Sequence, residues 1–92
     1  MLEKVKLALR LKTAAFDAEI QDLIDAALAD LKLAGIIKED QEDPLIIRAV
    51  VTYCRANFGS PDDYQQLKSA YDEQKGQMQT ATGYTNWGGD NG

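Results

Sequence analysis

Histidine is absent from this 92-residue chain. A histidine general base, a histidine metal ligand and a histidine pH switch are therefore excluded. The single cysteine, Cys54, rules out an intramolecular disulfide and any cysteine-only zinc site. No apolar run reaches the ~18 residues a bilayer span needs. The charged opening Met1-Leu2-Glu3-Lys4-Val5-Lys6 breaks the apolar core a signal peptide requires. The expectation is a soluble protein of a reducing cytoplasm. Basic residues are outnumbered, ten Lys plus Arg against fifteen Asp plus Glu, and the formal charge of −5 argues against non-specific nucleic-acid binding. The size allows one domain, with a radius of gyration of roughly 12 Å if compact. A composition of 45% apolar and 27% charged residues is that of a folded chain.

What is present is helical periodicity, and the pattern predicts an all-α fold: a small four-helix domain over 1–78 followed by a flexible or extended tail over 79–92. Leu2, Val5 and Leu9 set the first helix, within Leu2 to Leu11. Ile20, Leu23, Ile24, Ala27, Leu28 and Leu31 recur at steps of three and four, with Asp17 offered as N-cap and Gly35 as the stop. Asp43-Pro44 is a start signal for a third helix reaching about Phe58, because a cap residue precedes a proline whose missing N–H is harmless there. That helix is apolar on nearly every side, except for the stripe Arg48, Thr52 and Arg55. The sequence suggests that its neighbours leave part of it uncovered, which hints at self-association. Ser60-Pro61-Asp62-Asp63 resembles a capping box opening a fourth helix with Tyr64, Leu67, Ala70, Tyr71 and Met78 on one face.

The tail holds four glycines, no Lys or Arg, and the aromatics Tyr84 and Trp87. Such a segment is either disordered or a docking element, and its retained aromatics favour docking. Arg48, Arg55, Tyr84 and Trp87 are the candidate subunit or partner contacts. No catalytic, cofactor-binding or metal-binding set emerges. Cys54 lies on the most apolar helix with no histidine to activate it. The acids fall on caps and exposed faces, and the Glu39-Asp40-Gln41-Glu42-Asp43 run lacks the glycine and distal glutamate of a calcium loop. Gly83, Gly88 and Gly89 follow no strand and precede no helix, so no phosphate loop forms. A DNA-reading helix-turn-helix fails because the third helix offers Ile, Val and Leu to bases, and Asp62 and Asp63 would face phosphates.

Several stretches together carry a family resemblance. They are Met1 to Lys6 with the Leu-Ala-Leu-Arg-Leu run after it, Phe16 to Ala27, Asp43 to Tyr53, and Leu67 to Thr85, which includes Ser69-Ala70-Tyr71-Asp72-Glu73-Gln74-Lys75 and Ala81-Thr82-Gly83-Tyr84-Thr85. In this order they resemble the phage head–tail connector proteins of the gp6-like type, also called phage DNA-packaging proteins. The ending Trp87 to Gly92 has no counterpart in that resemblance. The resemblance implies a structural virion protein with no catalytic residues and no cofactor. It implies a ring of identical subunits beneath the portal protein that extends the DNA channel and attaches the tail or a stopper protein. DNA then passes without specific binding, no membrane is involved, and the protein resides in the virion after assembly in the host cytoplasm. Each added subunit brings a charge of −5, which suits a wall that DNA does not stick to. The alternative, from a different class, is a small acidic cytoplasmic adaptor or antitoxin-like regulatory protein.

Overall fold

A computed structural model describes residues 1–37 and 42–85, and its regular elements are all helices, with no strand among the described residues. In chain order the helices are α1 (Leu2–Leu9), α2 (Asp17–Leu33), α3 (Pro44–Asn57), α4 (Tyr64–Gln79) and a single turn, α5 (Thr82–Thr85). The all-α expectation therefore holds, with α5 as an element the periodicity did not signal.

The helix starts divide by backbone geometry. Asp43 is extended (φ −62°, ψ 128°), and its carboxylate accepts from the N–H groups of Leu45 and Ile46. Its conformation follows from Pro44, which pushes the residue before it out of the helical region. The other two expected caps are corrected. Asp17 is the first residue of α2 rather than its cap, and Phe16 at the cap position (φ −109°, ψ 11°) provides no side-chain bond. The Ser60 capping box does not form either. Residues 62 and 63 make a turn, α4 starts at Tyr64, and Asp63 (φ −98°, ψ 30°) makes no cap bond. Phe16 has no polar side-chain atom to cap with, and Asp63 lacks the extended backbone from which a cap side chain reaches back.

The helix ends are tighter. Gly35, at φ 91°, closes α2 as its place in the sequence suggests. Ile36 N–H donates to Leu31 O (3.0 Å) and Gly35 N–H to Lys32 O (3.0 Å), a Schellman pair with buried Leu31 and Ile36 beneath it. The end of α1 repeats the pattern with Leu11 N–H on Lys6 O and Arg10 N–H on Leu7 O, but the left-handed position is held by Arg10 at φ 62°.

The core collects Val5 of α1, Ile20, Ile24, Ala27 and Leu31 of α2, Ile46, Ala49, Val50 and Cys54 of α3, Tyr71 and Met78 of α4, and Ile36 of the loop. Fully burying a side chain such as Ile20 or Ile24 contributes about 1.5–3 kcal/mol. α3 lies at the centre, packed on α4, α2 and α1. The expectation that its neighbours leave part of α3 uncovered is met in a small way: three helices pack on it, but Leu45 is exposed (39%) and Ile47, Val51 and Tyr53 are half-buried. The most exposed apolar side chains are instead Leu7 of α1 (78%) and Leu33 of α2 (87%). Extents of 46 × 25 × 18 Å and a radius of gyration of 13.7 Å describe a body more elongated than the compact expectation.

Placing arginine in the left-handed region costs about 1–2 kcal/mol, against about 0.5–1 kcal/mol for the extra chain freedom of glycine. Arg10→Gly is therefore expected to raise the free energy of unfolding by roughly 0.5–1 kcal/mol in urea titration, and a loss of stability would contradict the strain assignment.

Candidate functional site

Three arrangements of polar side chains stand out on this scaffold. The first ties α2 to α4. Tyr71 Oη donates to Asp30 Oδ2 at 2.6 Å, and Lys75 Nζ lies 3.1 Å from the same oxygen. Lys75 also sits 5.0 Å from the centroid of the Tyr71 ring, and Tyr53 of α3 packs edge-on against that ring at 5.3 Å. The Tyr71 hydroxyl, backed by Lys75, holds the Asp30 carboxyl below its ordinary range, against a partial opposing effect of burial. Burial, and then the facing Asp30 carboxylate, push the Tyr71 phenol upward. The pair is thus a fixed donor and a fixed acceptor across the working pH range, which is a structural tie rather than a proton-transfer couple.

The second arrangement ties the chain's last described turn to the start of α3. Tyr84 Oη donates to the Asp43 carboxylate (2.9 and 3.0 Å to its two oxygens), the same carboxylate that caps α3. Ile37 N–H donates to Tyr84 O at 2.8 Å, and Gln79 Nε2 donates to Ala34 O at 2.9 Å. The α4 end and α5 are therefore stitched to the α2 end and to the loop leading into α3. Lys4 of α1 pairs with Glu42 beside this junction, at 3.2 Å. A further pair joins the earlier elements: the largely buried Lys6 Nζ lies 2.8 Å from Asp17 Oδ1. The approach falls outside hydrogen-bond angles and acts as a charge pair. It joins a cation in the last turn of α1 to an anion in the first turn of α2, which suits both helix dipoles.

The third arrangement is the α3 stripe. Thr52 is buried, its hydroxyl donating to Arg48 O at 2.9 Å. Arg48 and Arg55 are both exposed but do not share a site. Arg48 lines a groove with Leu45, Ala70, Glu73, Gln74 and Gln77, whereas Arg55 lines another with Leu9, Arg10, Pro61, Asp63 and Leu67. Seven residues separate them, a rise of about 10 Å along the helix. Of the remaining candidates, Tyr84 is half-buried in the junction with Asp43, and Trp87 lies outside the described residues. Sequence reasoning missed Asp30, Lys75 and the Tyr84–Asp43 bond, because their partners are 41 to 45 residues apart in the chain.

Cys54 is buried, and loss of hydration pushes its thiol up to about 12. Among the described residues, no group of three or more acidic or cysteine side chains is placed to hold a metal ion, and no helix is long and apolar enough to cross a membrane.

A family model described as "Phage connector protein" matches residues 1–85. No curated protein and no solved structure matches the chain.

Three outcomes are expected. Tyr84→Phe lowers stability by about 1.5–3 kcal/mol in urea unfolding, the range for a hydrogen bond to a charged acceptor. Asp30→Asn destabilises at neutral pH. Since the folded-state acidity of Asp30 is lowered, its contribution is fully present above the unfolded value, ~4, and disappears as pH falls through the folded one. The stability gap between wild type and variant should therefore close in acid, and a gap that persists there would refute the charge-linked tie. Cys54 should resist a disulfide reagent at pH 8 until the chain is unfolded, as followed by absorbance.

Proposed function

The chain belongs to the phage connector protein family, and from that membership we propose that it is a head–tail connector subunit that closes into a ring beneath the portal. The ring extends the DNA channel and presents the attachment surface for the tail or for a stopper protein. The observation that carries this reading is the family match over residues 1–85, which spans every described helix. The family is a structural one, and nothing in the three polar arrangements resembles an active site.

The surface supports the assembly step. A ring built head to tail needs two unlike surfaces on each subunit. Exposed Leu7 on α1 and exposed Leu33 at the end of α2 put apolar contact area on two different elements. The exposed Arg48 and Arg55 are the cations we assign to neighbour or portal contacts, with Trp87 as an aromatic contact and Tyr84 anchoring the segment that carries it. The outer face of α2 carries Glu19, Asp22 and Asp25, none of them in an ion pair with a described residue. Facing inward in a ring, these acids repel the duplex phosphates, and DNA slides instead of adhering.

The test is size exclusion with light scattering, with and without a portal protein. The expected result is a monomer or weak oligomer alone and a discrete ring-sized complex when portal is added. Arg48→Glu with Arg55→Glu is expected to weaken that complex. A stable dimer indifferent to portal would overturn the reading.

A further inference from the structure

The chain holds three arginines, Arg10, Arg48 and Arg55, and none of them pairs with an acid among the described residues. Lysines do the pairing instead: Lys4, Lys6, Lys68 and Lys75 each meet a carboxylate. Free guanidinium groups are thus kept in a chain whose acids outnumber its bases. All three line grooves beside α3, one of about 330 Å³ at Arg48 and one of about 380 Å³ at Arg10 and Arg55.

The two grooves lie end to end on one face. On α3, Leu45, Arg48, Thr52 and Arg55 follow at steps of three and four. Arg48 and Arg55 therefore stand on the same side of the helix, about 10 Å apart along its axis. The α4 residues keep the same rhythm: Asp63 and Leu67 line the Arg55 groove, and Ala70, Gln74 and Gln77 line the Arg48 groove. The result is a trough along the α3–α4 seam, with Thr52 buried between its halves, Leu45 exposed in one and Arg10 in the other. Arg10 holds its place on a backbone (φ 62°) that glycine adopts at less cost.

Guanidinium forks match carboxylates and phosphates alike. A phosphate backbone fits this face poorly, because Asp63 stands in one groove and Glu73 in the other, and a continuous run of phosphates would meet both. Separate carboxylates avoid them. A helix suits a trough between two helices, with its anchors on one face. Carboxylates that reach Arg48 and Arg55 together are then two turns, or about seven residues, apart. No two acids of this chain have that spacing, so a second copy does not supply the match.

We propose that the α3–α4 trough is the docking site for an acidic helix of a different protein, one that carries carboxylates two turns apart and an apolar residue on the same face. Its carboxylates bind Arg48 and Arg55, and its apolar residue covers Leu45 and Ala70. Gln74 Oε1, which is buried and accepts no hydrogen bond from a described residue, takes a side-chain N–H from it. The inference deepens the assignment of Arg48 and Arg55 to partner contacts and rests on it. Its test needs no portal protein, so its failure is distinguishable from failure of the connector reading.

The probe is a synthetic alanine-rich peptide of about 18 residues, long enough to be helical, with glutamates two turns apart and a leucine on the same face. The control peptide has the same composition with the glutamates on opposite faces. The three arginine Nε–H signals of the full chain, followed by heteronuclear NMR, report on the face directly. All three are expected to shift with the first peptide, which binds several-fold more tightly than the control. Arg48→Gln and Arg55→Gln should each weaken binding several-fold while the circular dichroism stays native, and Lys32→Gln, in neither groove, should not. Arg48→Glu with Arg55→Glu should transfer the preference to a peptide with lysines at the same spacing. Absence of shifts, or equal affinity for the two peptides, would overturn the proposal. So would equal shifts with a short DNA duplex, which assigns the face to nucleic acid, or shifts on raising the protein concentration alone, which assigns it to a second copy.

Discussion

The need to bury α3 organises the molecule. Its side chains are apolar around most of the circumference, and such a helix is stable only with cover on several sides. α1, α2 and α4 supply that cover, each turning its own apolar stripe inward onto Ile46, Ala49, Val50 and Cys54. The one hydroxyl on the buried side, Thr52, is satisfied within the helix by the Arg48 carbonyl, so no neighbour has to supply a polar partner.

Asp43 fixes where that buried helix begins and what else meets there. One carboxylate caps α3 and accepts the Tyr84 hydroxyl, so the start of the central helix and the last described turn of the chain share an acceptor. The Asp30–Tyr71–Lys75 cluster does similar work across α2 and α4. Both ties use charged acceptors at the border of the core, where hydrogen bonds to charge are strong and desolvation is incomplete. The chain's few polar side chains of special position are thereby used for fastening helices, in keeping with a subunit whose role is mechanical.

Much of the fold was legible in the sequence because helix periodicity and cap chemistry are local. The Asp43-Pro44 start was readable since proline itself imposes the extended backbone that a capping aspartate needs. Asp17 had no proline after it and became the first residue of α2, and Ser60, though followed by Pro61, lies too far upstream of an α4 that starts at Tyr64 to cap it. Of the candidate contacts, Arg48 and Arg55 were recognisable as the polar stripe of an apolar helix. That they open into two separate grooves, and that buried Thr52 divides them, depends on where α4 lies.

The sequence by itself determined the all-helical class, the order of the four main helices, their inward stripes, the acidic balance and the lack of reactive groups. Each of these depends on residue identity or on spacings within a few turns. Tertiary structure decided how completely α3 is covered, which apolar side chains stay outside, and that Tyr84 folds back onto Asp43. Those outcomes depend on contacts between residues some forty positions apart, and the positions of the helices in space set them.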